Sequence, residues 1–308
     1  MELIKLKDKL NTNEKIVATI GEFDGIHVAH QKLIFKTKEI ALKKGYKSAV
    51  ITFYPHPDYV LKIRENEGYL NTIAEKIEIF EKYGIDYLYL IDFNEDVLKT
   101  DMDTFFQNYL SSLSHIVVGY DFRFGYKGLG DASYLLQKFA NNIDVIEEVK
   151  YQENKKVSSN DIRAYLKEGN VEKANSLLGY LYSFEEKVSH GARIGITLGY
   201  PTANIVIDKD KFIPRLGVYF AKAIIDSKKY YAVCNIGLNP SINSQKEPRI
   251  EVHIIGFNET IYEEKIKIML CHFLRDEKLF ASKEELACQI KKDKEECLKY
   301  FKGEKDEN

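Results

Sequence analysis

Two histidines three residues apart, His27 and His30, end the run Gly21-Glu22-Phe23-Asp24-Gly25-Ile26-His27-Val28-Ala29-His30. The run leaves an apolar stretch that reads as a strand and enters one with helical periodicity. Gly21 and Gly25 let the backbone turn tightly between the two. The helix then aims its free N–H groups and positive dipole end at that turn. Residues three apart at a helix start share a face, so two imidazoles stand beside a ready anion site. Either histidine alone reads as an exposed or capping residue; the strand–turn–helix order makes a phosphate site the better reading. Such a site stabilises phosphate charge without a nucleophile or a general base. No G-x-x-x-x-G-K-[ST] run occurs, which excludes an ordinary P-loop as the phosphate grip.

A second group lies further along, in His190-Gly191-Ala192-Arg193-Ile194-Gly195-Ile196-Thr197-Leu198-Gly199-Tyr200-Pro201-Thr202-Ala203-Asn204. Gly191 and Gly195 give a loop able to bring backbone N–H groups to phosphates. Thr202 and Asn204, two apart in an extended segment, project to one side. Their hard oxygens suit Mg²⁺ shared with the phosphates of ATP. In Arg249-Ile250-Glu251-Val252-His253-Ile254, the aliphatic residues alternate onto one face and leave Glu251 and His253 on the other. A carboxylate there reads either as part of a solvated strand face or as a base for a hydroxyl attacking phosphate.

Between these groups the chain must supply two scaffolds. Up to about residue 150, strand candidates (Lys15–Ile20, Ser48–Phe53, Tyr87–Ile91, His115–Val118, Val145–Val149) alternate with helical stretches (Ala29–Lys43, Ala74–Tyr83, Asp103–Leu113, Ala132–Ala140). That alternation predicts a doubly wound parallel α/β sheet. Thr72 and Glu75 are spaced as a capping box. Short helices over Asn160–Lys167 and Val171–Leu178 each end at a glycine. Beyond Gly179, Val218–Ile225, Tyr230–Ile236, Ile250–Phe257 and Lys265–Phe273 read as strands separated by turns, which predicts a small antiparallel β-barrel. One helix closes the chain, with Ser282 and Glu285 as a capping box. The predicted domains are therefore 1–180 and 181–308.

Composition fits two ordinary globular domains: 308 residues, 44% hydrophobic and 30% charged. Lys and Arg number 45 against 47 Asp and Glu, so no basic excess points to nucleic acid or an anionic membrane. The amino terminus has no apolar signal-peptide core, and no run reaches the roughly 18 apolar residues of a membrane span. Cys234, Cys271, Cys288 and Cys297 form no C-x-x-C pair and no zinc spacing, which predicts free thiols in a reducing cytoplasm.

The chain resembles, over nearly its whole length, the bacterial bifunctional riboflavin kinase/FAD synthetase (FMN adenylyltransferase) family. Gly21, Phe23, Asp24, Gly25, His27 and His30 match its G-x-F-D-G-x-H-x-G-H motif, with Ala29 replacing the third glycine. Thr52-Phe53-Tyr54-Pro55-His56-Pro57, Gly119-Tyr120-Asp121-Phe122-Arg123-Phe124-Gly125 and Val157-Ser158-Ser159-Asn160-Asp161-Ile162-Arg163 follow in family order. Asn160 stands for the usual Thr, and Gly128 lies where an Arg is usual nearby. The H-G-x-x-x-G-x-x-L-G-F-P-T-A-N pattern matches residues 190–204, with Tyr200 for Phe and Ile196 where an arginine is frequent. Asn235–Ser241 resembles the family's N-I-G-x-R-P-T loop, and Leu274–Glu277 with Phe280 its flavin-side segment.

The resemblance implies a nucleotidyltransferase-type first domain and a riboflavin kinase barrel with a carboxyl-terminal helix. It implies phosphorylation of riboflavin to FMN, then adenylylation of FMN to FAD with release of pyrophosphate, both from ATP with Mg²⁺. His27, His30 and Glu251 would be catalytic. Gly21, Phe23, Asp24, Gly25, Ser158, Ser159, Arg163, Gly191 and Gly195 would contact nucleotide and phosphate. Asp121, Phe124, Arg275 and Phe280 would face flavin, and Thr202 and Asn204 would hold the metal. Two alternatives stand beside this: riboflavin kinase alone, with a weakened adenylyltransferase, and a non-catalytic flavin-binding protein.

Overall fold

In the computed structural model, which describes residues 1–61, 67–151, 155–189, 199–240 and 246–306, packing divides the chain into Met1–Ser159 and Asn160–Asn308. The first unit is built on six parallel strands: β1 (Glu2–Leu6), β2 (Ile16–Ile20), β3 (Lys47–Tyr54), β4 (Tyr87–Asp92), β5 (His115–Gly119) and β6 (Ile143–Ile146). Their spatial order is β1-β4-β3-β2-β5-β6. Helices α1 (Val28–Lys44), α2 (Pro57–Val60), α3 (Ile73–Lys82), α4 (Glu95–Lys99), α5 (Met102–Tyr109) and α6 (Ala132–Phe139) fill the connections.

Alternation along β2 shows why both faces are covered. Ile16, Ala18 and Ile20 enter one apolar core with Phe105, Phe106 and Leu135, from α5 and α6. Val17 points the other way, into a core with Ile40 and Ala41 of α1. Phe23, Ile26, Ile34, Val50 and Phe80 form a further core on α1 and α3. The Thr72–Glu75 capping box starts α3, with both reciprocal hydrogen bonds present. The chain runs from β2 toward β3 on one side, while β5 pairs with β2 on the other. Ligands of open α/β sheets bind where strand order reverses, outside the carboxyl ends, and that point is flanked by Gly21 and Gly119.

The second unit begins with α7 (Ser159–Glu168, whose first residue belongs to the first unit) and α8 (Val171–Leu178). This division falls earlier than the predicted boundary near 180, because both helices are bonded to the barrel. Leu166 O accepts from Arg215 N at 2.9 Å, and Asn175 Nδ2 donates to Leu270 O at 2.9 Å. Six strands follow: β7 (Ser183–Ser189), β8 (Ala203–Val206), β9 (Gly217–Ile225), β10 (Lys228–Pro240), β11 (Lys246–Ile254) and β12 (Lys265–Arg275). They close as β7-β8-β11-β10-β9-β12, every pair antiparallel. Helix α9 (Lys283–Asp306) packs Cys297 and Phe301 against Val218, Phe220 and Val233, with the Phe301 ring stacked on Tyr231 at 4.2 Å.

The sheet and barrel match the predicted classes. Strands β1, β7 and β8 and helices α2 and α4 are additions to the predicted elements. Residues 235–240 belong to strand β10 instead of the expected loop; Ser241 lies outside the described residues. The four cysteines are free thiols, three buried and Cys288 exposed.

Gly125 and Gly45 separate two costs of a left-handed backbone. At Gly125 (φ +72) an added Cβ would meet Met102 Cα at 2.8 Å, whereas at Gly45 (φ +66) nothing lies within 4 Å. Gly45→Ala should destabilise the chain by about 1 kcal/mol, from the dihedral alone. Gly125→Ala should cost more, about 1–3 kcal/mol of strain beyond that, read from urea unfolding midpoints. Equal shifts would show that the Met102 contact relaxes freely.

Candidate active sites

In the first unit the turn out of β2 is held in an unusual conformation. Phe23 (φ +48), Gly25 (φ +85) and Ile26 (φ +35) are all left-handed, and only one is a glycine. Burial of both side chains, each 0% exposed, fixes the other two. The result sets His27 as the N-cap of α1, its Nδ1 accepting from His30 N at 3.4 Å. The two imidazoles stack at 3.7 Å with 13° between planes, and Phe23 meets His30 edge-on at 5.2 Å.

Burial strips water from both rings and holds them neutral. It lowers His27 to about 4 against the pull of Asp24, and takes His30 well below the usual range, helped by His27 and Lys76. A neutral His27 that accepts at Nδ1 carries its proton on Nε2, so it offers one N–H donor. His30 Nδ1 is buried with no hydrogen-bond partner among the described residues.

The rings open on a cleft of about 240 Å³ lined by Gly21, Phe23, Ala29, Asp121, Lys156, Ser158 and Ser159 among others. Ser159 Oγ donates to Asp24 O at 2.7 Å. A larger cavity of about 850 Å³ shares Gly21, His30, Asp121 and Phe122 with this cleft. Phe53, Phe93, Phe105 and Phe124 give it aromatic walls.

Several predicted contacts have other neighbours. Asp24 is buried and accepts Leu70 N at 2.9 Å, tying the turn to a distant loop. Asp121 pairs with Lys156, which lies 5.5 Å over the Tyr120 ring. Phe124 is only 5% exposed and stacks on Phe122, so most of its ring serves the core. Arg163 packs in the second unit, its guanidinium 5.4 Å over Phe212.

In the barrel, Glu251 pairs in register with Asn204 on one side and Asn235 on the other. Ile250, Val252 and Ile254 are buried, as their alternation predicts. Crowding by protein atoms and, second, the Glu277 carboxylate raise the acid of Glu251, against Arg249. His253 Nδ1 lies 3.0 Å from Pro201 O and must donate to it, leaving Nε2 as a buried acceptor with no partner among the described residues.

Glu251, His253, Thr202, Arg275 and Phe280 line one cavity of about 150 Å³, with Asn235, Glu277 and α9 residues Leu286 and Ile290. Asp293 grips Arg275 from α9, Nη2 to Oδ2 at 2.7 Å. A second cavity of about 270 Å³ shares Thr202 and adds Val188, Val252, Phe257, Ile261 and Tyr262. Asn204 is buried beside Glu251 and lines neither. Gly191 and Gly195 lie outside the described residues.

Two family models divide the chain between them: FAD synthetase over residues 9–161 and riboflavin kinase over residues 178–301. A bifunctional riboflavin kinase/FMN adenylyltransferase of Listeria monocytogenes is 36% identical, with 98% of each chain covered. The chain belongs to the bifunctional riboflavin kinase/FMN adenylyltransferase family. The Bacillus subtilis member is 37% identical over 93% of each chain. A crystal structure of a Streptococcus pneumoniae protein named as a macrolide-efflux protein is 31% identical, with a TM-score of 0.86 over 95% of this chain and 97% of that one. Among the described residues here, no helix is long and apolar enough to cross a membrane.

Phe53 belongs to a segment that the sequence already marks; Lys156, Phe93 and the Phe257–Tyr262 wall carry no such mark. Lys156 precedes the serine run by two residues and has no motif of its own. The aromatics read as ordinary core at strand spacing, and only their convergence on a cavity separates them from it.

Neutral burial of His27 and His30 makes a pH prediction. Unfolded imidazoles protonate near 6.5, so between about 6.5 and 4 the unfolded chain binds more protons than the folded one. Stability should therefore fall as pH drops through that window, with His115 and His253, also lowered by burial, adding to the loss. Calorimetric unfolding at pH 7 and pH 5 should show a smaller drop for His27→Asn with His30→Asn than for the native chain. An equal drop would mean these rings are not the sensors.

Proposed function

We propose that Met1–Ser159 transfers the adenylyl group of ATP to FMN, and that the barrel phosphorylates riboflavin to that FMN. The observation that carries the first assignment is that two cavities share Gly21, His30, Asp121 and Phe122: one beside a helix N-terminus with Lys156, Ser158 and Ser159 in its wall, and one walled by aromatic rings. The first suits the phosphates of the nucleotide, the second the isoalloxazine ring.

A phosphate oxygen of FMN attacks the α-phosphorus of ATP, a new P–O bond forms, and pyrophosphate leaves. FMN phosphate is already ionised at neutral pH, so positioning and donated hydrogen bonds supply the catalysis. His27 Nε2–H, the N–H groups at the start of α1 and the Ser158 hydroxyl are the donors on this side, while the Ser159 hydroxyl holds Asp24 O. Lys156 brings positive charge once phosphate competes for it with Asp121.

In the barrel, the terminal ribityl hydroxyl attacks the γ-phosphorus of ATP while ADP leaves. Glu251 accepts the hydroxyl proton, and the upward shift of its pKa by burial and Glu277 makes it a stronger base for that step. Riboflavin occupies the cavity of Glu251, Arg275 and Phe280; the nucleotide occupies that of Phe257 and Tyr262, and Thr202 stands where they meet. Thr202 and Asn204 would hold Mg²⁺, which their hard oxygens suit better than a softer metal, and the ion would neutralise phosphate charge there. The free thiols support a cytoplasmic location.

Incubation with ATP, Mg²⁺ and either riboflavin or FMN, with products resolved chromatographically, tests the whole reading. Glu251→Gln should lower FMN formation by about 10²–10⁴-fold and leave FAD formation from supplied FMN intact. His27→Ala with His30→Ala should do the reverse. Loss of both activities in either folded variant would count against separate sites; no FAD from the native chain would leave a kinase alone.

A further inference from the structure

Glu22 stands at the position that the G-x-F-D-G motif leaves open, yet it is clamped at both ends. Its carbonyl accepts Lys76 Nζ at 2.7 Å and Thr52 Oγ1 at 3.1 Å. Its carboxylate Oε2 lies 2.7 Å from Nε2 of His56, a side chain only 4% exposed. Lys76 and Thr52 are buried too, so the clamp is part of the interior although the carboxylate keeps 44% exposure.

The hydrogen bonds settle the state of His56. As N-cap of α2 its Nδ1 accepts the N–H of Asp58 at 3.1 Å. Nδ1 therefore has no proton, the ring is neutral, and Nε2–H donates to Glu22. Asp58 completes a group whose potential ligand atoms lie within 4.8 Å of one another. A metal ion on that group would need the Nε2 lone pair, which carries the proton unless the N-cap bond is given up. The arrangement holds an oriented carboxylate acceptor instead.

Glu22 and Asp58 both line the aromatic cavity, next to Gly21 and His30 where it meets the phosphate cleft. A flavin with its ring among Phe53, Phe93 and Phe122 and its phosphate at His30 must pass its hydroxyl-bearing carbon chain between them. Carboxylates accept from hydroxyls and donate nothing, so they match the hydroxyls of that chain; the one other donor of FMN, the ring N3–H, is retained in lumiflavin. We propose that Glu22 accepts hydrogen bonds from the ribityl hydroxyls of FMN, with His56 as the positioning residue that aims it. The inference rests on the flavin reading of this cavity.

The test measures KM for FMN and for ATP in FAD formation, with lumiflavin, which has a methyl in place of the hydroxyl chain, as competitive inhibitor. Glu22→Ala should raise the FMN KM by about tenfold or more and leave the ATP KM and the lumiflavin inhibition constant unchanged. His56→Asn keeps an N-cap acceptor but is too short to reach Glu22, and should reproduce that loss. His56→Gln, which carries an N–H at the distal position, should restore most of the affinity. The unchanged ATP KM and lumiflavin inhibition constant, both read in the first unit, report that the variants are folded there. Parallel loss of FMN and lumiflavin, a change confined to ATP, or Mn²⁺-dependent FMN binding that disappears in Glu22→Ala would each overturn the assignment. Lumiflavin failing to compete with FMN in the native chain would overturn the flavin reading itself, and Glu22 with it.

Discussion

Burial of Phe23 and Ile26 is the interaction on which the first unit's chemistry depends. Each residue adopts a positive φ, at a strain of order 1 kcal/mol or more, and each is wholly removed from water. Full burial of a large apolar side chain contributes about 1.5–3 kcal/mol, enough to hold both against that strain. The same two anchors turn the backbone through Gly25, deliver His27 to the N-cap of α1 and leave Gly21 between two cavities. A relaxed turn would keep the sheet and lose the site. Asp24 and Ser159 lock the turn from outside, through Leu70 N and Asp24 O.

In the proposed reading, the two units handle phosphate by opposite adjustments of acidity. Desolvation lowers the histidines of the first unit until they are neutral donors. Desolvation and a neighbouring carboxylate raise the pKa of Glu251 and make it a better proton acceptor. The difference follows the nucleophile. A phosphate arrives ionised and needs no base, whereas a hydroxyl must lose a proton. One solvent effect, acting on a base in one site and an acid in the other, supplies both needs.

What the sequence made legible follows periodicity and short-range chemistry. Strands β2 to β5, the capping box at Thr72 and the left-handed glycine caps at Gly169 and Gly179 all depend on nearby residues, and all were readable. Strand β1 was not, since its Glu2, Leu3, Ile4 and Lys5 lie on a sheet edge with little burial to impose a pattern. Strand β7 carries Glu185, Glu186 and Lys187, whose charges disguise it; Glu185 is answered by Lys265 and Lys267 of β12, far along the chain. Candidate site residues show the same division. His27, His30 and Glu251 announce themselves by motif and alternation. Lys156, Phe93 and Tyr262 come to line cavities only where distant segments converge. Phe124 errs in the other direction, because a motif aromatic can face a cavity while most of its ring is core.

The departures from the family motif fall where the scaffold absorbs them. Ala29 adds one methyl to the wall of the nucleotide cleft, yet the N-cap bond and the stacked imidazoles beside it remain intact. Gly128 sits at φ +65, a conformation that a glycine adopts without the steric cost any side chain would incur. Asn160 lies in the first turn of α7, where a short polar side chain is well tolerated. None of these residues removes the turn, the helix end or the paired cavities. Adenylyl transfer depends chiefly on positioning, so a scaffold preserved to this extent preserves its main requirement.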